Sequence, residues 1–304
     1  MNIIETNHLS RRFRHTEAVH DLTFAVPEGS ICALLGPNGA GKTTTIRLLM
    51  NLLEPTGGSS RVLGVDSRRL GERELAQIGY VSENQQMPLW MTVRQLLDYC
   101  RPFYPTWDVA LEKKLLAQFD LPPERRLKQL SRGMLMKASL LSSLAYRPKL
   151  LVLDEPFSGL DPLVRDDFVR GVLDASGLGE WTVLISSHDI DEVERLADRV
   201  ALLEAGRLSF GESTEELLGR FRRIEVTFSG SAPRDFSPAA GWLEWETDGS
   251  LLRFIDSRYE RAATEQACRE RFPEAAVRAH PMTLREIFVT LARSGRTQPK
   301  GTLT

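Results

Sequence analysis

The run Gly36-Pro37-Asn38-Gly39-Ala40-Gly41-Lys42-Thr43 fits the pattern GxxxxGK[ST], a phosphate-binding loop. Its glycines let successive backbone N–H groups turn inward around phosphate oxygens. Lys42 sets a charge near the terminal phosphates, and Thr43 supplies a hydroxyl for Mg2+. The context agrees: an apolar run at 31–35 precedes the loop, and a helical pattern follows whose N-terminal end favours anions. A second group ends the apolar run 150–153 in two acids, Asp154 and Glu155. At the end of a buried strand, the Asp154 carboxylate can hold Mg2+ through water. Acidic strand ends are common; this one is set apart by Pro156 and then Ser158-Gly159-Leu160-Asp161. His188 follows the apolar run 182–185, at a strand's C-terminal end, where α/β sheets bind ligands. His8, His15, His20 and His280 have no comparable context.

A third group is Leu130-Ser131-Arg132-Gly133-Met134, just ahead of a helical pattern that runs to residue 146. Ser131 alone would be a helix N-cap. The order is what carries information: phosphate loop, this pentapeptide, apolar run ending in Asp-Glu. Over about residues 1–215 it resembles the ATP-binding-cassette family, the ATPase subunits of ABC transporters. The resemblance implies an α/β phosphate-loop nucleoside-triphosphatase core with an antiparallel β subdomain and a helical subdomain, and it implies ATP and Mg2+ as ligands.

By the same resemblance, Glu155 polarises the attacking water and His188 contacts the γ-phosphate. Phe13 stacks on adenine, and Gly36, Pro37, Asn38, Gly39, Ala40, Gly41, Lys42, Thr43 and Thr44 surround the phosphates. The pentapeptide stands where the family has LSGGQ. Ser131 and Gly133 keep the phosphate-contacting positions, while Arg132 and Met134 depart from the pattern. Asp161 falls at a subunit boundary. After the strand 78–81 the family has a glutamine; here Glu83 aligns with it as a possible Mg2+ ligand, with Gln85 or Gln86 as substitutes. The metal set is therefore Thr43, Asp154 and Glu83. Ser131 and Gly133 are expected to come from a second subunit, in a homodimer or a pseudo-symmetric heterodimer.

These groups need a scaffold. Apolar runs at 31–35, 78–81, 150–153 and 182–185 read as buried strands, and 44–53 as the helix after the phosphate loop. Residues 3–9, 22–26 and 61–65 read as further strands, and 200–203 with 207–210 as a hairpin around Ala205-Gly206. Residues 92–146 are mostly helical, so the helical subdomain spans about 88–146 of a nucleotide domain at 1–215. The pattern then shifts. A linking helix at 213–221, strands at 224–228, 242–246 and 251–255, and helices at 260–271 and 283–292 predict a small α+β domain over 216–304. The end, 298–304, reads as disordered.

Of 304 residues, 42% are hydrophobic and 26% charged, with a formal charge of −2, so no general attraction to nucleic acid is expected. Cys32, Cys100 and Cys268 stand far apart, which argues against a zinc site or redox pair and fits a reducing cytoplasm. No window reaches about 18 apolar residues, so any channel must be a separately encoded membrane permease. The expected place is then the inner face of the cell membrane. Residues 87–92, with Trp90, form an apolar stretch that is either core or a docking surface for that permease. The single cassette, the C-terminal appendage and Phe103-Tyr104-Pro105 resemble ABC-2-type exporters. Two alternatives are a nucleic-acid-associated ABC ATPase, disfavoured by one phosphate loop and no sustained heptads, and an ATP-sensing module with little turnover.

Overall fold

The computed structural model describes residues 1–176, 181–233 and 235–297; the segment 298–304 expected to be disordered lies outside them. The chain divides into two compact units, Met1–Gly211 and Glu212–Thr304.

In the first unit the apolar runs form a six-stranded sheet. Its order is Arg207–Ser213, Arg199–Glu204, Ile31–Leu35, Thr182–Ser187, Leu150–Asp154 and Ile78–Ser82. The last five are parallel. Thr182–Ser187 and Leu150–Asp154 are buried at every residue, which is why their sequences show no alternation. Ala205 and Gly206 both take positive φ in a tight turn, as the hairpin requires. Register brings the C-terminal strand ends together: Leu35 pairs with Ser187, Asp154 with Ser186, and Ser82 with Asp154.

A second, antiparallel sheet is built on the strand Asn2–Phe13, which pairs with Thr16–Leu22, Ala25–Pro27 and Gly57–Val62. The single strand expected at 22–26 is therefore two pieces, because Asn2–Phe13 changes partner partway along. The strand expected at 61–65 starts earlier, at Gly57, and turns at Leu63-Gly64 into Val65–Asp66. The helix expected at 44–53 spans Lys42–Leu49; Asn51, at φ 56°, ends it before the proline does. Its Ile46, Leu48 and Leu49 are fully buried between Ile4, Leu9 and Val26 of one sheet and Leu34, Val152 and Leu184 of the other. Each such side chain contributes about 1.5–3 kcal/mol on burial, so the helix behind the phosphate loop is firmly held.

The helical region contains Val93–Cys100, Val109–Gln118 and Arg132–Leu144. Thr92, Asp108 and Ser131 cap them through side-chain oxygens, satisfying N–H groups the helices leave open. Tyr146 stacks on Tyr104 at 3.7 Å between ring centroids and donates to the Ile78 carbonyl, tying this region to the sheet. A further helix, Pro162–Ser176, has no counterpart among the sequence expectations. Among the described residues no helix is long and apolar enough to cross a membrane.

The second unit is an antiparallel sheet in the order Trp242–Asp248, Leu251–Asp256, Arg222–Thr227, Ala276–Pro281. Helices Thr214–Arg220, Arg261–Arg271 and Leu284–Thr297 accompany it. Its core gathers Ile224, Val226, Trp242, Leu252, Phe254 and Phe272. The strand Ala276–Pro281 was not foreseen: it is an edge strand without buried residues, so it lacks the alternation that marks a strand.

Candidate nucleotide site

The phosphate loop leaves the strand Ile31–Leu35 and runs straight into the helix Lys42–Leu49. Gly41 sits at φ 103°, and a Cβ there would lie 2.3 Å from the Ala18 carbonyl oxygen, so no other residue fits. Pro37, Asn38 and Gly39 are exposed, whereas Gly36, Ala40 and Gly41 are buried. Thr43 and Thr44 are half-buried on the first helical turn. Lys42 is only 5% exposed. Its Nζ donates to the carbonyls of Gly36 (2.6 Å) and Pro37 (3.2 Å) and lies 3.0 Å from Glu155 Oε1.

Asp154 and Glu155 are adjacent yet serve different neighbours. Thr43 Oγ1 donates to Asp154 Oδ1 at 3.0 Å, and Ser186 Oγ donates to the same oxygen at 2.8 Å. Burial pushes the Asp154 carboxyl above its ordinary range, opposed by the bonds from Ser186 and Thr43. Glu155 takes φ 52°, a left-handed conformation that costs a non-glycine residue about 1–2 kcal/mol. That turn redirects its side chain to Lys42 and to His188, whose Nδ1 is 2.8 Å from Glu155 Oε2. A carboxylate only accepts, so Nδ1 carries the proton there. The Glu155 N–H donates to Ser186 Oγ at 2.9 Å. Ser186 thus braces both acids. Sequence reasoning missed it, because a serine in a strand is unremarkable until register sets it opposite Asp154.

Thr43 and Asp154 offer hard oxygen donors to one point, and Mg2+ takes few protein ligands, completing its octahedron with phosphates and water. The two fit such an ion. Glu83 is directed elsewhere. Its N–H bonds the Asp154 carbonyl at 3.0 Å, but its Oε1 accepts from Arg132 Nη2 (2.5 Å) and Ser158 Oγ (2.8 Å). Gln85 accepts from Ser139 at 2.7 Å, and Gln86 is exposed. Among the described residues, no three His, Cys, Asp or Glu side chains are grouped to hold a metal.

Phe13 ends its strand 41% exposed, with the Arg11 guanidinium 4.6 Å from its ring centroid. Ser131 accepts from the Met134 N–H at 3.2 Å as the N-cap. Gly133 is buried, and a Cβ there would lie 2.7 Å from Val164, so helix packing alone already demands glycine. Asp161 accepts from the Val164 N–H at 3.0 Å, at the start of Pro162–Ser176. The residues that meet at one edge are therefore Lys42, Thr43, Asp154, Glu155, Ser186 and His188. Ser131 makes its contact within its own helix, whereas Gly133 and Asp161 both meet Val164 of the helix Pro162–Ser176.

Leu89 and Trp90 are exposed at 48% and 68%, and Met91 is buried. They adjoin a groove of about 380 Å³ lined by Gln85, Gln86, Met87, Leu89, Leu135 and Met136, among others. Cys32 and Cys268 are buried, and burial raises their thiols to about 12 and about 11.

A parallel sheet with a glycine loop on a central strand, a buried lysine and a hydroxyl–aspartate pair at the strand ends defines a phosphate-loop nucleoside-triphosphatase. A family model described as ABC transporter matches residues 19–158. The daunorubicin/doxorubicin resistance ATP-binding protein of Streptomyces peucetius is 33% identical over 306 residues, covering 95% of this chain and 92% of that protein. Nod factor export ATP-binding protein I of Neorhizobium galegae is 31% identical over 302 residues, covering 95% and 84%. A solved ATP-binding subunit of an ABC transporter aligns with TM-score 0.64 and 28% identity over 71% of this chain and 91% of that one. The chain belongs to the ABC transporter ATP-binding family, and its reaction is the hydrolysis of ATP.

Proposed function

We propose that this chain is the motor of an exporter, working through a separately encoded integral membrane permease at the inner face of the cell membrane. Two subunits, identical or pseudo-symmetric, close head to tail on two ATP molecules. Each nucleotide lies between one subunit's phosphate loop and the Ser131 and Gly133 of the other, with Asp161 at the seam. Glu155 held between buried Lys42 and His188 is the observation that carries the catalytic part. Relatives named for drug resistance and Nod factor export, matching 95% of this chain, support the export direction.

Hydrolysis then needs positioning and charge neutralisation more than covalent chemistry. Thr43 and Asp154 would hold Mg2+, which when bound would supply positive charge to the phosphates. Lys42 exchanges Glu155 for phosphate oxygens. Glu155, released from Lys42, takes the proton of the attacking water, while His188 gives an N–H to the γ-phosphate, whose oxygens only accept. Phe13 gives adenine a stacking surface. The nucleotide domain is then the unit Met1–Gly211, with its helical part at 88–146, and the unit Glu212–Thr304 is accessory.

The exposed Leu89 and Trp90 beside the groove support docking of the permease there. Co-purification tests this. Expressed with its membrane partner, the chain is recovered in the membrane fraction, and Trp90→Asp is lost from that fraction while its ATPase remains. Full turnover by a strictly monomeric chain, shown by sedimentation under assay conditions, would overturn the two-subunit reading.

A further inference from the structure

Two of the three departures from the family pattern, Glu83 and Arg132, lie 49 residues apart in sequence and form an ion pair. Arg132 is the first residue of the helix Arg132–Leu144. A cation there opposes the helix dipole, so the position needs a compensating anion. Glu83 supplies it from the end of the strand Ile78–Ser82, anchored by its N–H to the Asp154 carbonyl. The same Glu83 oxygen also accepts from Ser158, in the loop between Glu155 and Asp161. The guanidinium lies against that loop as well: a Cβ on Gly159 would be 2.5 Å from Arg132 Nη1. One carboxylate oxygen thus joins three segments, namely the loop after Ile78–Ser82, the Ser131–Gly133 turn and the Ser158–Asp161 loop.

We infer that Glu83 and Arg132 are a matched pair of positioning residues for hydrolysis, each tolerable in this chain only because the other is present. The pair rests on the proposed two-subunit mechanism, and it holds Ser131 and Gly133 in register with Asp154 and the loop carrying Asp161. A glutamine at 83 would leave Arg132 without its anion at a helix N-terminus. A glycine at 132 would leave the Glu83 carboxylate beside Ser158 without a cation. Replacing both restores the neutral combination of the family pattern.

Neither side chain bonds the phosphate loop, so the defect falls on turnover and not on nucleotide capture. A double-mutant cycle in ATPase assays tests the pair with Glu83→Gln, Arg132→Gly and the double variant, all in the full chain. Each single change lowers kcat about five- to tenfold while KM for ATP moves less than twofold. The double variant is no slower than either single one, a coupling of at least fivefold, or about 1 kcal/mol. Arg132→Lys, which keeps the charge without the planar fork, falls between wild type and Arg132→Gly. Thermal melts confirm that the variants are folded, because Arg132 is half exposed and its loss opens no cavity.

Two outcomes overturn the inference. If the single defects multiply in the double variant, the residues act independently. If excess Mg2+ restores Glu83→Gln whatever stands at 132, Glu83 is a metal ligand instead. Failure of the underlying mechanism looks different: a Glu155→Gln control would keep wild-type turnover.

Discussion

Replacing Glu155 by glutamine should do two opposite things to this chain: weaken it without nucleotide and tighten its grip on ATP. The reason is Lys42, which is only 5% exposed and faces Glu155 Oε1 at 3.0 Å, with the Gly36 and Pro37 carbonyls as its other partners. Unit charges at this separation attract by about 5 kcal/mol at an effective dielectric of about 20. Much of that is offset by desolvation, and the amide oxygen of glutamine still accepts, so the net loss is about 1.5–3 kcal/mol. For a unit of this size the melting temperature falls by about 3–10 °C.

Nucleotide must break the Lys42–Glu155 pair before phosphate can take its place. Removing the pair in advance returns the same free energy to binding, so ATP binds roughly 10- to 100-fold more tightly. Phosphate release falls by at least about 100-fold, because the proton acceptor is gone. The assays are thermal melts with and without ATP, titration with a fluorescent ATP analogue, and steady-state phosphate release. A glutamine variant whose melting temperature and nucleotide affinity both match wild type would refute the reasoning about Lys42, and retained turnover would refute the role of Glu155.

Three further changes probe the rest of the site. Phe13→Ala removes about 1–3 kcal/mol of base stacking and raises KM for ATP by about fivefold or more with kcat unchanged; an unaltered KM removes Phe13 from the adenine site. Asp154→Asn abolishes turnover yet melts no lower than wild type at neutral pH. Asp154 has a raised carboxyl pKa, so its ionised form costs the folded state stability that is lost as pH rises from the ordinary carboxylate value and stays lost above the raised one. The advantage of asparagine therefore shrinks in acid, and a variant that melts lower at every pH refutes it. Gly133→Ala lowers the melting temperature through its clash with Val164, and adding Val164→Ala restores it. Recovery of turnover along with stability would show that Gly133 is there for packing and not for phosphate.

The parts of this protein that sequence exposed are those decided by neighbours along the chain. The phosphate loop is one continuous segment, and its strand and helix are its immediate flanks. Ala205-Gly206 declares its own turn, and the fully buried strands declare themselves by unbroken apolar runs. What stayed hidden depends on partners that are distant in sequence. The helix Pro162–Ser176 carries Gly171, a poor helix former, because the Phe119 ring would sit 2.4 Å from a Cβ there; local propensity opposes the helix and packing overrides it. Ser186 becomes part of the site only through its register with Asp154.

Glu83 and Arg132 carry the same lesson into function. Compared one at a time with a family pattern, each is a loss: a carboxylate for an amide, a long cation for a glycine. Their meaning lies in a 2.5 Å contact that neither segment announces. A charge at either position makes physical sense only with its opposite at the other, since a carboxylate only 28% exposed and a cation at a helix N-terminus are each unfavourable alone. Departures from a motif are therefore better judged in the pairs that the fold brings together than position by position along the chain.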